Sequence, residues 1–312
     1  MTKIQIILNP ACAMGKGIEA LPELEQAAAR YKLDVEIVQT ECPGHAIELA
    51  RQAAEEGRPL VAAAGGDGTV NEVLNGLMQA QVDGHKGSAL AVIPIGRGND
   101  FAYGMNIPTG IDEAFKTLVT DWRRKMDVGL VKGGFYPEGR YFGNGVGIGF
   151  DAVVGFEAAK MKRLHGLLCY LVAALKTIFL YYKAPLVSVA YQNQNMSLRA
   201  LMVSVMNGRR MGGSFCMAPE ANSEDGLLDL CIAPEVSRLR LFALISHFMK
   251  GSQASQPEII TTQTSALTIT ASDGTLPAHA DGETLCTEGQ QLEISLLPQQ
   301  LDLVCQQEGS TG

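Results

Sequence analysis

The chain has 312 residues, 46% of them apolar, with 25 basic and 33 acidic side chains and a net charge of −8. That composition excludes disordered and fibrous classes, and the acidic balance argues against a nucleic-acid partner. The length exceeds what one core usually holds, so two domains are expected.

The opening "MTKIQIILNP" has too short an apolar stretch for a signal peptide and reads as a strand ending at the Asn9-Pro10 turn. "GIEALPELEQAAARY" reads as helix, "LDVEIVQT" as strand and "GHAIELARQAAEEG" as helix, with Gly57 as its stop signal. "PLVAAA" and "ALAVIPIG" are unbroken apolar runs, as expected of strands buried on both faces. Between them Val70, Val73, Leu74, Leu77 and Met78 recur at helical spacing. Such alternation predicts a doubly wound parallel sheet of Rossmann type over residues 1–127.

Past Asp127 the pattern changes to glycine-dense, β-prone segments separated by turns. These predict a mainly antiparallel β domain over 128–295, interrupted by a helix after Phe156, with 296–308 as a candidate return to the first domain. The fold class is thus α/β plus β. The apolar stretch Leu164–Tyr182 is broken by Lys176, which leaves neither side long enough to span a bilayer and favours a buried or half-buried helix. The tail "QQEGSTG" reads as disordered. The seven cysteines (Cys12, Cys42, Cys169, Cys216, Cys231, Cys286 and Cys305) are scattered, with no C-x-x-C pair. Neither a zinc site nor a disulfide framework is indicated, and buried free thiols in a reducing, cytoplasmic setting are expected.

"GGDGTVNEVLNGL" follows the third strand. A glycine turn opening a helix presents backbone N–H groups and the positive end of the helix dipole, which suits phosphate. The Walker A pattern and the G-x-G-x-x-G fingerprint are both absent. Asp67, at the centre of the turn, is compatible with phosphate if a divalent cation lies between them or if the acid assists proton removal. The other reading makes Asp67 a helix cap, and the residues alone leave both open.

"GGDGTVNEVLNGL" and "PIGRGNDFA" together resemble the diacylglycerol kinase catalytic family, specifically the bacterial lipid kinases related to sphingosine kinases. The resemblance continues in order through "DVG" at Asp127, "GNGVGIGFDA", "DGLLDL" and "ADGE" ending at Glu283. It implies an N-terminal nucleotide domain of the NAD-kinase and diacylglycerol-kinase type and a C-terminal β-sandwich. ATP would be held by Gly65, Gly66, Asp67, Gly68, Thr69, Val70 and Asn71, with Asn9 and Thr40 closing the pocket; Lys16, in its glycine loop, is open to phosphate contact but reads more simply as solvated. Arg97 stands where the family usually has threonine, and its fork of donors could grip a triphosphate.

The same resemblance implies Glu283 as the catalytic base, with Asp67 assisting. Asp67, Asp100 and Asp127 would hold Mg²⁺ through water, and Asp225 with the carbonyls of Asn222 and Leu227 would hold a second, structural Mg²⁺. The substrate expected is a lipid. Lys160, Lys162 and Arg163, or Arg209 and Arg210, are candidates for transient contact at the inner membrane face, against ordinary solvated readings. A kinase for NAD or another soluble metabolite, and a lipid-binding protein without catalysis, are the rivals. A homodimer stays open.

Overall fold

The computed structural model describes residues 3–160, 172–173, 176–177 and 184–307. The chain divides into two compact units, Met1–Met126 with Gln299–Gly312, and Asp127–Pro298.

In the first unit the elements run β1 (Ile4–Leu8), a distorted turn α1 (Cys12–Gly15), α2 (Leu21–Tyr31), β2 (Val35–Gln39), α3 (His45–Glu55), β3 (Leu60–Gly65), α4 (Asp67–Val82), β4 (Ala89–Pro94), α5 (Asp100–Gly104) and α6 (Ile111–Thr120). The strands lie in the order β2-β1-β3-β4, all parallel, and Leu303 from the end of the chain pairs in parallel with Leu90 of β4. One face, with Ile6, Leu8, Ala62 and Ile93, shares a core with Leu24 and Ala28 of α2 and Phe115 of α6. The alternate residues Ile7, Val61, Ala63 and Val92 are buried as well. On that side Gln5 donates its side-chain amide to the Leu49 carbonyl of α3, 3.3 Å away. Helices therefore cover both faces, which is why these strands read as continuous apolar runs.

α3 and α4 pack closely because Gly76 has no side chain: a methyl there would lie 2.3 Å from the Ile47 carbonyl oxygen. Gly44 cannot cap α3 itself, and Glu72 of α4 accepts the N–H groups of Gly44 and Ala46 at 2.9 and 3.1 Å instead. Glu72 thereby ties α4 to the N-terminus of α3.

The second unit holds β5 (Arg123–Gly133), β6 (Tyr136–Phe142), β7 (Gly145–Gly149), α7 (Phe150–Lys160), β8 (Leu186–Tyr191), β9 (Gln194–Met206), β10 (Leu228–Pro234), α8 (Arg238–Lys250), β11 (Ile260–Thr264), β12 (Ala266–Asp273), β13 (Leu276–Ala280), β14 (Glu283–Gly289) and β15 (Gln291–Val304), the first and last strands continuing into the other unit. One sheet runs β6-β5-β15-β12-β8-β9 and the other β14-β13-β7-β9-β10-β11. β9 is long enough to serve both, pairing with β8 through its first half and with β7 and β10 through its second. Val189, Ile269, Leu292 and Ile294 from one sheet meet Val146, Val205, Leu230, Leu276 and Leu285 from the other in one apolar core. Each such side chain contributes about 1.5–3 kcal/mol by leaving water. This is an antiparallel β-sandwich.

One expectation is corrected. The helix placed after Phe156 begins at Phe150, directly behind β7. Gly149, at φ +86°, ends the strand, and a side chain there would meet the Leu201 carbonyl oxygen at 2.5 Å. The β-branched run that follows is helical despite its propensity, because the chain turns at that glycine.

Candidate active site

The candidate site residues fall in both units. In the first unit three strand ends converge. Asn9 ends β1, accepts the Ala11 N–H at 3.0 Å as a turn residue, and donates from Nδ2 to Thr69 Oγ1 at 3.0 Å. Thr40 follows β2 and donates its N–H to the Leu8 carbonyl at 2.9 Å. Gly65 and Gly66 link β3 to α4, with Gly66 as an N-cap that has no side chain to offer the first-turn amides. Val70 and Asn71 are buried in the first turns of that helix.

The two glycines have separate reasons. A methyl on Gly65 would lie 2.4 Å from Thr69 Oγ1, and one on Gly96 would lie 2.4 Å from the Gly66 Cα. The turn after β3 and the loop after β4 therefore touch backbone to backbone. Asp67 bridges them: it occupies the first residue of α4, and its Oδ1 accepts the Phe101 N–H at 2.9 Å. Its carboxylate reaches across to the Asn99–Asp100 loop.

That loop is shaped by Asn99, whose left-handed backbone (φ 50°) and Nδ2 bond to the Gly96 carbonyl (3.0 Å) turn the chain into α5. Asp100 is buried. A methyl on Gly98 would lie 3.0 Å from Asp67 Oδ2 and 3.7 Å from Asp100 Oδ2, so both carboxylates border one point. Asn99 Oδ1 is buried beside them without a hydrogen bond. Two anionic oxygens and an orphaned amide oxygen form a hard donor set that a divalent cation would suit. Among the described residues there is no group of three or more His, Cys, Asp or Glu side chains placed to hold a metal. Mg²⁺ does not need one, since it commonly keeps several waters and binds through one or two carboxylates plus phosphate. Arg97 is exposed on the same loop, and Lys16 is exposed after α1.

In the second unit the "HADGE" segment forms the turn between β13 and β14. Asp281 (φ 49°) and Gly282 (φ 88°) are both left-handed, which makes the turn tight. The Asp281 carboxylate accepts three backbone N–H groups, from Gly143, Asn144 and Gly145, at 2.8, 3.0 and 2.8 Å. Glu283 is the first residue of β14, half-buried, one position beyond this anchored turn. Asn207 extends the frame by donating Nδ2 to the carbonyls of Asp127 and Gly143 at 3.0 and 2.8 Å.

Asp127 is fully buried. Its Oδ2 accepts the Gly226 N–H at 2.8 Å and its own N–H donates to the Ser223 carbonyl at 2.7 Å. It therefore braces the loop that carries Asn222, Asp225 and Leu227. In that loop Asp225 is exposed and accepts the Leu227 N–H at 2.9 Å, while Asn222 accepts the Glu224 N–H at 3.2 Å. Arg209 donates to the Ala221 carbonyl at 3.2 Å. Lys160 pairs with Glu157 at 2.6 Å; Lys162, Arg163 and most of Leu164–Tyr182 lie outside the described residues. Among the described residues no helix is long and apolar enough to cross a membrane.

Asp281 and Asn207 are the residues a reading of the sequence passes over. Asp281 lies within "ADGE", but its partners lie 136–138 positions away, and only a buried acid in a turn signals it.

Comparison with known proteins bears on this geometry. The diacylglycerol kinase catalytic domain model matches residues 3–131, and the YegS C-terminal, NAD kinase β-sandwich-like domain model matches residues 144–305. Diacylglycerol kinases of Mycobacterium tuberculosis and Bacillus subtilis are each 28% identical, covering 97% and 91% of this chain and 94% and 90% of their own lengths. A YegS-like lipid kinase of Chromohalobacter salexigens is 33% identical over 75% of this chain and 72% of its own. In fold, a crystal structure of a diacylglycerol kinase from Bacillus anthracis superposes with a TM-score of 0.72 at 22% identity, covering 98% of this chain and 97% of that one. A glycine turn tied to the Asn99–Asp100 loop, a sandwich whose Asp281 turn presents Glu283, and both domain matches in sequence order lead to one conclusion: the chain belongs to the diacylglycerol kinase family of lipid kinases.

Proposed function

We propose that this protein transfers the γ-phosphate of ATP, with Mg²⁺, to the hydroxyl of a diacylglycerol-like lipid. The observation that carries the reading is the bond from Phe101 to Asp67, because it sets two carboxylates beside a phosphate-type helix terminus. Such an arrangement is self-repelling without a cation and well suited to metal-bound phosphate.

Gly65 through Asn71 hold the phosphates against the α4 amides, and Asn9, Thr40 and Arg97 border the nucleotide. Asp67, Asp100 and Asn99 are the residues that would hold Mg²⁺ in the first unit; in the second, Asp127 braces the loop in which Asp225, Asn222 and Leu227 would form the structural site. When bound, the metal offsets the negative charge of the phosphates. Glu283 takes the proton from the lipid hydroxyl, a poor nucleophile until that proton is removed. Positioning supplies most of the remaining acceleration. The lipid would be met at a membrane surface, by transient contact from the cytoplasmic side.

The test is transfer of labelled phosphate from ATP to a panel of lipids in mixed micelles, for the natural chain and for Glu283→Gln. The natural chain should phosphorylate a glycerolipid only with Mg²⁺ present. The variant should keep its fold and ATP affinity and lose transfer. Undiminished transfer would reassign the base, and a soluble acceptor phosphorylated in place of lipid would overturn the substrate class.

A further inference from the structure

We infer that His279 is a positioning residue for the Glu283 turn, with its ring set by Asp151; this rests on the reading of Glu283 as the base. His279 lies on β13 opposite Gly147 of β7 and Thr284 of β14, and is 6% exposed. Its Nδ1 accepts the Gly282 N–H at 3.3 Å. A backbone amide can only donate, so Nδ1 carries no proton and the neutral ring holds its proton on Nε2.

Nε2 faces Asp151 Oδ2 at 3.5 Å, and that oxygen is buried without a hydrogen bond. A buried carboxylate oxygen lacking a partner is costly, and the His279 Nε2 lies 3.5 Å from it. The space exists because of a glycine: a methyl on Gly147 would lie 2.2 Å from Asp151 Oδ2 and 2.5 Å from His279 Nε2. The chain of effect is therefore short. Asp151, in the first turn of α7, selects the tautomer; the ring holds the Gly282 amide; and Gly282 immediately precedes Glu283.

Asp281 clamps one side of the same turn through three amides, and His279 supplies the bond on the other. Two consecutive left-handed residues need such support to keep one geometry. Asp281 holds the turn to β7, whereas His279 sets the orientation of the peptide from which Glu283 departs.

The experiment compares His279→Ala, His279→Gln and Glu283→Gln in the full chain, with labelled ATP and diacylglycerol micelles. His279→Ala should lower kcat by about tenfold or more with KM for ATP unchanged, as expected when a reacting group is misplaced. His279→Gln, whose amide oxygen can accept the Gly282 N–H, should recover most of that loss. Hydrogen exchange of the 281–285 backbone, slow in the natural chain and in His279→Gln, should be fast in His279→Ala; it needs no activity and is read on folded protein. A kcat for His279→Ala within about twofold of the natural chain would overturn the inference. So would a loss matched by the loss of folded protein, or His279→Gln no better than His279→Ala. If His279→Ala does not fold, slow exchange in the natural chain retained in His279→Gln upholds the inference, and fast exchange in His279→Gln overturns it. If Glu283→Gln stays active, the base assignment falls by itself; if it is inactive while His279→Ala is not, only the positioning role falls.

Discussion

Asp67 Oδ1 accepts the Phe101 backbone N–H at 2.9 Å across 34 residues of sequence. The bond joins the turn after β3 to the loop after β4 and leaves Oδ2 beside Gly98 and Asp100. One oxygen of the carboxylate thus ties two loops together, and under the proposed function the other would face the metal.

Asparagine at 67 separates those duties. Asp67→Asn retains an oxygen for the Phe101 amide, so its melting temperature should stay close to that of the natural chain while turnover falls by roughly 10²-fold or more, the scale of removing a preorganised charged group. Asp67→Ala loses both and should also cost about 1–3 kcal/mol in urea unfolding.

Gly96→Ala places a methyl 2.4 Å from the Gly66 Cα, where the neighbour is backbone and cannot rotate aside. We expect a loss of about 1–3 kcal/mol of stability and weaker ATP binding, measured by denaturant melts and nucleotide titration. A Gly87→Ala control tests backbone strain alone, since Gly87 has a positive φ but open space around it.

Side-chain hydrogen bonds from Lys160 and Lys176 hold the Glu157 carboxyl below its ordinary 4.5. A depressed folded-state value means the contribution is complete above the unfolded value and is lost as pH falls through the folded one. Urea midpoints should therefore drop below about pH 4.5, and Glu157→Gln should be less stable at neutral pH yet show a shallower acid decline.

Burial pushes the Cys231 thiol up to about 12 and raises Cys286 in the same direction, whereas Cys42 is exposed. A thiol reagent at neutral pH should label Cys42 in the native protein and reach Cys231 and Cys286 only in denaturant. Peptide mapping of the labelled sites checks this.

Much of the first unit was readable because its signals are local. Strands buried on both faces make unbroken apolar runs, and "PLVAAA" and "ALAVIPIG" became β3 and β4. The sandwich was readable in outline from alternating segments between turns. The start of α7 was not, since Val153 and Val154 favour strand and only the backbone reversal at Gly149 decides otherwise. α8 escaped because "RLRLFALISHFMK" has mixed character, and its Ser237 cap, which accepts the Arg240 N–H, is a single weak cue. At the candidate site, Asp67 and Glu283 stand out through their motifs, and their proposed roles await the tests above. The work of Asp281 and His279 was not legible, because hydrogen bonds to Gly143–Gly145 and the facing of Asp151 exist only once β7, β13 and α7 are assembled.

The pairing of Leu303 with Leu90, together with the Cys305 N–H bond to the Trp122 carbonyl and Lys125 against Asp302, makes the first unit depend on residues synthesised after the whole sandwich. During translation the glycine turn can form early, but its sheet lacks a strand until the ribosome has passed residue 305. A gene fragment stopping at Met126 would release the first unit with an open sheet edge, prone to pairing with other chains. Supplying a peptide of residues 299–307 in trans should relieve that tendency.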